Sequence, residues 1–176
     1  MVMTNVPLWI KGWFLASSLL VLWDAGYCLL RPHSMEGGKW NFLWRPYILY
    51  AKIDYFYGLP AYEAQDGFTG AQAFMNLIET ALNFLYLAMV SAQKPIGQAN
   101  LVGFSAAILT TAKTVLYWLV EWFSGMQHTG HNTPSDFLIL WVIPNGAWIV
   151  APTVIAWVLG RDLFARLQDQ PRTKQQ

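Results

Sequence analysis

Apolar residues in this chain come in four long runs. Residues 8–30, 68–92, 99–123 and 137–164 are each mainly apolar and long enough to cross a bilayer as a helix, which takes about 20 residues. Between the second and third runs Lys94-Pro95-Ile96-Gly97 makes a tight turn, and Ser124-Gly125 through Thr133-Pro134-Ser135 closes the third. Connections this short make sequential spans antiparallel neighbours. The pattern therefore predicts an all-α membrane protein, a four-transmembrane-helix bundle. Residues 31–67 differ: Trp40, Phe42, Leu43, Trp44, Tyr47, Ile48, Tyr50 and Tyr55 are interleaved with Lys39, Arg45, Lys52 and Asp54. This mixture predicts an interfacial loop between helices 1 and 2, either exposing its aromatics to lipid or folding as a lid over the bundle mouth. One transmembrane domain over residues 1–165 and a polar C-terminal tail over 166–176 complete the division.

Composition agrees with a bilayer as partner. Of 176 residues 55% are hydrophobic and 12% charged, an apolar surplus that water does not solvate. Ten Trp, eight Tyr and ten Phe suit helix ends placed among headgroups. A net charge of +1 argues against nucleic acid, and the single Cys28 cannot form an intrachain disulfide. No basic n-region precedes the first run, so it reads as a span and not as a cleaved signal peptide. Lys11, Lys94, Arg161, Arg166, Arg172 and Lys174 fall on the side of the termini, against Arg31, Lys39, Arg45 and Lys52 opposite. That asymmetry favours cytoplasmic termini, and Arg172-Thr173-Lys174-Gln175-Gln176 has the basic character of an endoplasmic-reticulum retrieval tail.

Polar residues inside the spans carry the chemistry, because an ionised group at the bilayer centre costs at least about 2.5 to 3.5 kcal/mol and turns toward protein or a cavity. Asp24 sits late in the first span, with Ser17 before it and Tyr27 after. Asn76, Glu79, Thr80, Asn83 and Tyr86 share one face of the second; Thr110, Lys113, Thr114, Tyr117 and Glu121 share one face of the third. In the fourth, Asn145 lies between Pro144 and Gly146, with Trp148 and Pro152 beyond, which predicts a broken helix. Three polar stripes and a broken helix enclose one internal pocket. Asn and Thr in such stripes also serve as interhelical glue, and Lys113 either forms a structural ion pair with Asp24 or Glu79 or acts functionally. Glu121, near its span end, reads as a side chain reaching water. His128 and His131 lie on a loop without a third ligand, so no metal is expected, and no glycine-rich fingerprint points to a cofactor.

Taken in order, Trp23-Asp24-Ala25-Gly26-Tyr27, Tyr50-Ala51-Lys52-Ile53-Asp54 and Ile78-Glu79-Thr80-Ala81 carry a family likeness. So does the stretch from Leu116-Tyr117-Trp118-Leu119-Val120-Glu121 through Gly125-Met126-Gln127-His128 to Pro144-Asn145-Gly146-Ala147-Trp148. The sequence resembles the emopamil-binding protein and sterol isomerase family, whose EXPERA domain is shared with the sigma-type intracellular receptors. The resemblance implies an endoplasmic-reticulum bundle with a pocket open to the membrane, in which a ring double bond is shifted by protonation and deprotonation. It makes Glu79 the catalytic glutamate and Asp24 its acidic partner, with Trp148 offering a π face to a developing cation and Asn145 orienting a carboxyl or a substrate hydroxyl. Burial in hydrocarbon favours a protonated carboxyl, the acid this chemistry needs. Two positions depart from the family. Leu20 stands where the isomerases carry a histidine, and Lys113-Thr114 replaces a small residue and an aspartate, adding a cation to the pocket.

Two functions follow from that comparison. One is an isomerase for a sterol or terpenoid-like polycycle, in a natural-product tailoring pathway, with Glu79, Asp24, Asn145, Trp148 and Lys113 as catalytic residues. Asn76, Thr80, Asn83, Thr110, Thr114 and Tyr117 then bind the substrate, and Lys113 has the chemistry to polarise a substrate oxygen. The other is a non-catalytic binder or trafficking protein for sterols or amphiphiles; the loss of the histidine favours it. Expected partners are a lipophilic polycyclic small molecule and the bilayer, with a second copy of the chain as a candidate. A purely structural membrane subunit would leave three buried ionisable groups without a purpose.

Overall fold

A computed structural model describes residues 2–169; every regular element among them is helical, with no strand. The first span is α1, Leu8–Leu29. Four short pieces follow, with a 3-10 turn at Asn41–Leu43, α2 at Tyr47–Ile53, a second 3-10 turn at Tyr55–Tyr57 and α3 at Leu59–Glu63. Next come α4, Phe68–Ser91, and α5, Ile96–Phe123. A single turn, α6 at Pro134–Asp136, leads through a π-helical segment at Phe137–Val142 into α7, Ile143–Gln168. Four of these helical stretches are long and apolar enough to cross a membrane, at Leu8–Leu29, Phe68–Ser91, Ile96–Phe123 and Pro134–Gln168. The protein is a multi-pass membrane protein built as a four-helix bundle, and side chains such as Leu19, Leu85, Leu116, Val150 and Trp157 face outward to lipid.

Packing runs α1 on α4, α4 on α5 and α5 on α7, whereas α1 is not packed along α7. Near the termini Ile10, Phe14, Tyr86, Ala106, Ala107, Ile155 and Leu159 form a closed core. Gly103 sits where a Cβ would come 2.8 Å from the Tyr86 ring and 3.0 Å from Leu159, so its missing side chain sets how closely α4, α5 and α7 approach. Asp162 ties this end together by accepting from Asn100 Nδ2 at 2.8 Å and Arg166 Nε at 2.7 Å. Its backbone partner is Met3 N, and Arg166 in turn donates to the Met3 carbonyl. Arg166 is thus part of α7 and not of a polar tail: the i, i+4 pairing with Asp162 and the Met3 contact extend the helix to Gln168. The retrieval-like residues 172–176 lie outside the described residues.

The opposite end is closed by residues 31–67, which combine the two alternatives their sequence leaves open. Phe42, Leu43, Leu49 and Leu59 point outward, as interfacial apolars do, while Trp44, Tyr47, Ile53 and Phe56 are buried against the bundle. Arg31 pins the start of the segment by donating to the carbonyls of Cys28 and Phe56 and to Thr69 Oγ1. Its far side is held by the turn after α5, where Gly125 (φ 73°) and Met126 (φ 60°) reverse the chain in left-handed conformations. There Tyr55 N donates to the His128 carbonyl, Asn132 Nδ2 donates to the Ile53 carbonyl, and the His128 ring stacks on Phe56.

Two expectations are corrected at these joints. Glu121 does not reach water. It is 1% exposed, because the reversed chain aims three donors at its Oε1: His128 N at 3.1 Å, Thr129 N at 2.8 Å and Thr129 Oγ1 at 2.8 Å. Its Oε2 lies 2.8 Å from His128 Nδ1. The fourth span is not broken either. Proline lacks an N–H and crowds the carbonyl four residues earlier, which for Pro144 is that of Leu140. The π-helical turn containing Leu140 supplies the room, and the helix continues through Pro152.

Candidate functional site

Where α1 and α7 diverge beneath the lid, the bundle encloses a cavity of about 440 Å³, within the usual range for small-molecule sites. Leu20, Val21, Trp23 and Asp24 line it from α1, and Gln72 and Asn76 from α4. Lys113, Thr114 and Tyr117 line it from α5, and Leu140, Pro144, Asn145 and Trp148 from the last span. The roof is the lid, through Pro46, Tyr47, Leu49, Tyr50, Ile53 and Tyr57. Trp13 and Trp148 meet across the gap at 5.5 Å between ring centroids. Leu20 lines the cavity and is 53% exposed.

Polar groups are few and fixed. Asp24 Oδ1 accepts from Tyr47 OH at 2.5 Å, and Oδ2 accepts from Asn76 Nδ2 at 3.3 Å. Asn145 Nδ2 donates to Tyr50 OH at 3.2 Å and to the Trp141 carbonyl at 2.8 Å, which orients its amide from both the lid and its own helix. Tyr47, Tyr50 and Tyr57 form an aromatic cluster in the roof. Burial, reinforced by neighbouring aspartates, pushes all three phenols above their ordinary value, so they stay protonated and able to donate. Asp54, fully buried behind the roof, accepts from Tyr117 OH, from Trp141 Nε1 at 2.9 Å and from Phe56 N at 3.0 Å. Burial raises its carboxyl to about 7; the Trp141 and Phe56 hydrogen bonds offset part of the rise, and the Glu121 and Asp24 carboxyls add to it.

Of the residues singled out in the sequence, Asp24, Asn76, Lys113, Thr114, Tyr117, Asn145 and Trp148 come together on this wall, while Glu79, Thr80, Asn83 and Thr110 do not. Glu79 is 1% exposed, with Oε2 3.0 Å from Lys113 Nζ; the contact is charge to charge, outside hydrogen-bond alignment. It stands behind the lysine, so the carboxyl on the cavity wall is Asp24. Asn83 Nδ2 donates to Ser18 Oγ at 3.1 Å and joins α4 to α1 as glue. Thr110 and Thr114 hydroxyls bond back to the carbonyls of Ala106 and Thr110. Thr80 Oγ1 is buried without a partner among the described residues. Sequence reasoning missed the roles of Tyr47, Tyr50, Tyr57 and Asp54; the density of tyrosines in residues 47–57 was the available signal. Among the described residues no group of three or more His, Cys, Asp or Glu side chains is placed to hold a metal ion.

Compared with known protein families and with curated proteins, the chain matches none of them.

Proposed function

We propose that this protein is a membrane-embedded isomerase that moves a carbon–carbon double bond in a sterol or terpenoid-like polycycle, with Asp24 as the proton carrier. The observation that carries this is a single carboxyl, held by Tyr47 and Asn76, in the wall of a mostly apolar cavity within the bundle. Proton transfer by a positioned side chain needs only such a group within reach of the substrate carbon. Tyr47 and Asn76 donate to Asp24 and so fix the orientation of its carboxyl. Asn145 offers its amide to a substrate oxygen, and Trp148 a flat apolar face to a fused ring system. The resemblance to the sterol isomerase family supports the same substrate class and an endoplasmic-reticulum location.

Glu79, which that resemblance makes catalytic, has a different part here: it holds Lys113 from outside the cavity. A non-catalytic binder is the second reading. Its support is Leu20, an apolar side chain on the cavity wall where the isomerases carry a histidine. The test is turnover by the purified protein in lipid nanodiscs against double-bond isomer pairs of sterols and polycyclic terpenoids, with and without a ketone. A double-bond shift by wild type that Asp24→Asn abolishes is the expected result. Saturable binding across the panel without conversion would replace the isomerase with the binder.

A further inference from the structure

Lys113 is the feature that hydrocarbon chemistry leaves unexplained. Its side chain lines the cavity and keeps 12% of its surface, and its Nζ makes no aligned hydrogen bond among the described residues. An amine of this kind has three N–H groups, and Glu79 faces it from one side only. The side chain borders a cavity whose other lining atoms are mostly apolar, where an unmet charged donor is costly. A substrate that fills the space must bring the acceptor. A positive charge developing on that substrate would meet a like charge at Lys113, whereas a negative one would be stabilised.

We infer that the substrate carries a ketone whose oxygen is held by Lys113, so that the double bond moves through an oxyanion and not a carbocation. The inference rests on the isomerase function proposed above and fixes its substrate class as a β,γ-unsaturated polycyclic ketone. The Asp24 carboxylate takes a proton from the carbon between ketone and alkene. The released C–H electron pair forms a new double bond to the carbonyl carbon, and the carbonyl π pair moves onto oxygen beside Lys113. The Asp24 carboxyl then returns the proton to the far carbon of the original alkene. The oxyanion re-forms the carbonyl, leaving a conjugated enone; no oxidant, reductant or co-reactant is consumed. Glu79 is a positioning residue, holding the lysine in place from behind.

The experiment gives purified protein in nanodiscs three probes: a β,γ-unsaturated ketosteroid, a sterol with an isolated alkene and only a hydroxyl, and a steroid phenol whose phenolate imitates the oxyanion. Wild type is compared with Glu79→Gln and with Lys113→Met/Glu79→Gln, a double variant that removes both charges together and leaves none unpaired. Expected is conversion of the ketone to the enone, followed by its ultraviolet absorbance, with the hydroxyl sterol unchanged. The double variant loses about a hundredfold or more in rate and about tenfold or more in phenol affinity; Glu79→Gln, which loosens the lysine without removing it, loses less of both. Conversion of the hydroxyl sterol but not the ketone would overturn the inference and leave the isomerase standing. So would ketone turnover by the double variant at the wild-type rate. Phenol binding that depends on Lys113 without conversion of either steroid would support oxygen recognition and remove the isomerase. Equal phenol binding by wild type and double variant, with no conversion, would overturn both.

Discussion

Replacing Asp54 with Asn isolates the titration of the carboxyl that anchors the lid. Its folded value of about 7 stands against an ordinary 3.8, raised first by burial and further by the carboxyls of Glu121 and Asp24. A carboxyl raised on folding stabilises the fold fully below its unfolded value, and that contribution is lost as pH climbs through the folded one. Stability therefore falls between roughly pH 4 and pH 8. The gap of about 3 pH units, at about 1.36 kcal/mol each, sets a ceiling near 4 kcal/mol. Asn keeps a carbonyl oxygen to accept from Trp141 or Tyr117 and carries no titratable proton, so Asp54→Asn flattens the profile and matches or exceeds wild type on the alkaline side. Asp54→Ala removes the acceptor for Tyr117, Trp141 and Phe56 N, at about 1 to 3 kcal/mol per orphaned donor, and destabilises at every pH. Thermal unfolding in detergent across the pH range, with hydrogen exchange of residues 45–63 beside it, reads both effects. Wild-type stability that rises through this window, or an Asn variant that keeps the wild-type slope, would refute the reasoning.

Other substitutions probe the joints around the cavity. At Gly26 a Cβ would lie 2.9 Å from Trp44 Cζ2; Gly26→Val should displace the lid, cost about 1 to 3 kcal/mol by overpacking and speed protease cleavage within residues 31–67. Gly103→Val should cost a similar amount through Tyr86 and Leu159, lowering the melting temperature while leaving lid protection intact. Glu121→Ala strips the acceptor from His128 N, Thr129 N and Thr129 Oγ1. A loss of about 1 to 3 kcal/mol per orphaned donor, with faster hydrogen exchange of residues 125–132, is expected; unchanged exchange there would deny Glu121 its capping role.

The four spans were legible because a helix in lipid needs an uninterrupted apolar run, and Leu8–Leu29, Phe68–Ser91 and Ile96–Phe123 stand within three residues of where that rule places them. Shared helix faces also brought Asn76, Lys113, Thr114 and Tyr117 to one wall. Pairing between helices was not legible. Periodicity places Glu79 and Lys113 each on a polar face, but which of the two fills the cavity depends on the rotation of α4 against α5. Asp54 sits in a segment with no single period, where aromatics serve the roof and the outer surface in turn. Glu121 looked like a span-end residue because span length was the only guide; its burial comes from the left-handed pair Gly125 and Met126, which folds the following turn back over it. The π-helical turn before Pro144 is likewise a packing solution to a proline, without a sequence period of its own.

The most direct test of the account asks which carboxyl carries the proton. Turnover and substrate affinity are measured side by side for wild type, Asp24→Asn and Glu79→Gln in nanodiscs. The account predicts that Asp24→Asn binds substrate yet loses turnover by about 10² to 10⁴, the usual contribution of a general acid–base group, while Glu79→Gln stays within about tenfold of wild type. Loss of turnover in Glu79→Gln with Asp24→Asn still active would contradict it, and would return the chemistry to the carboxyl behind the lysine.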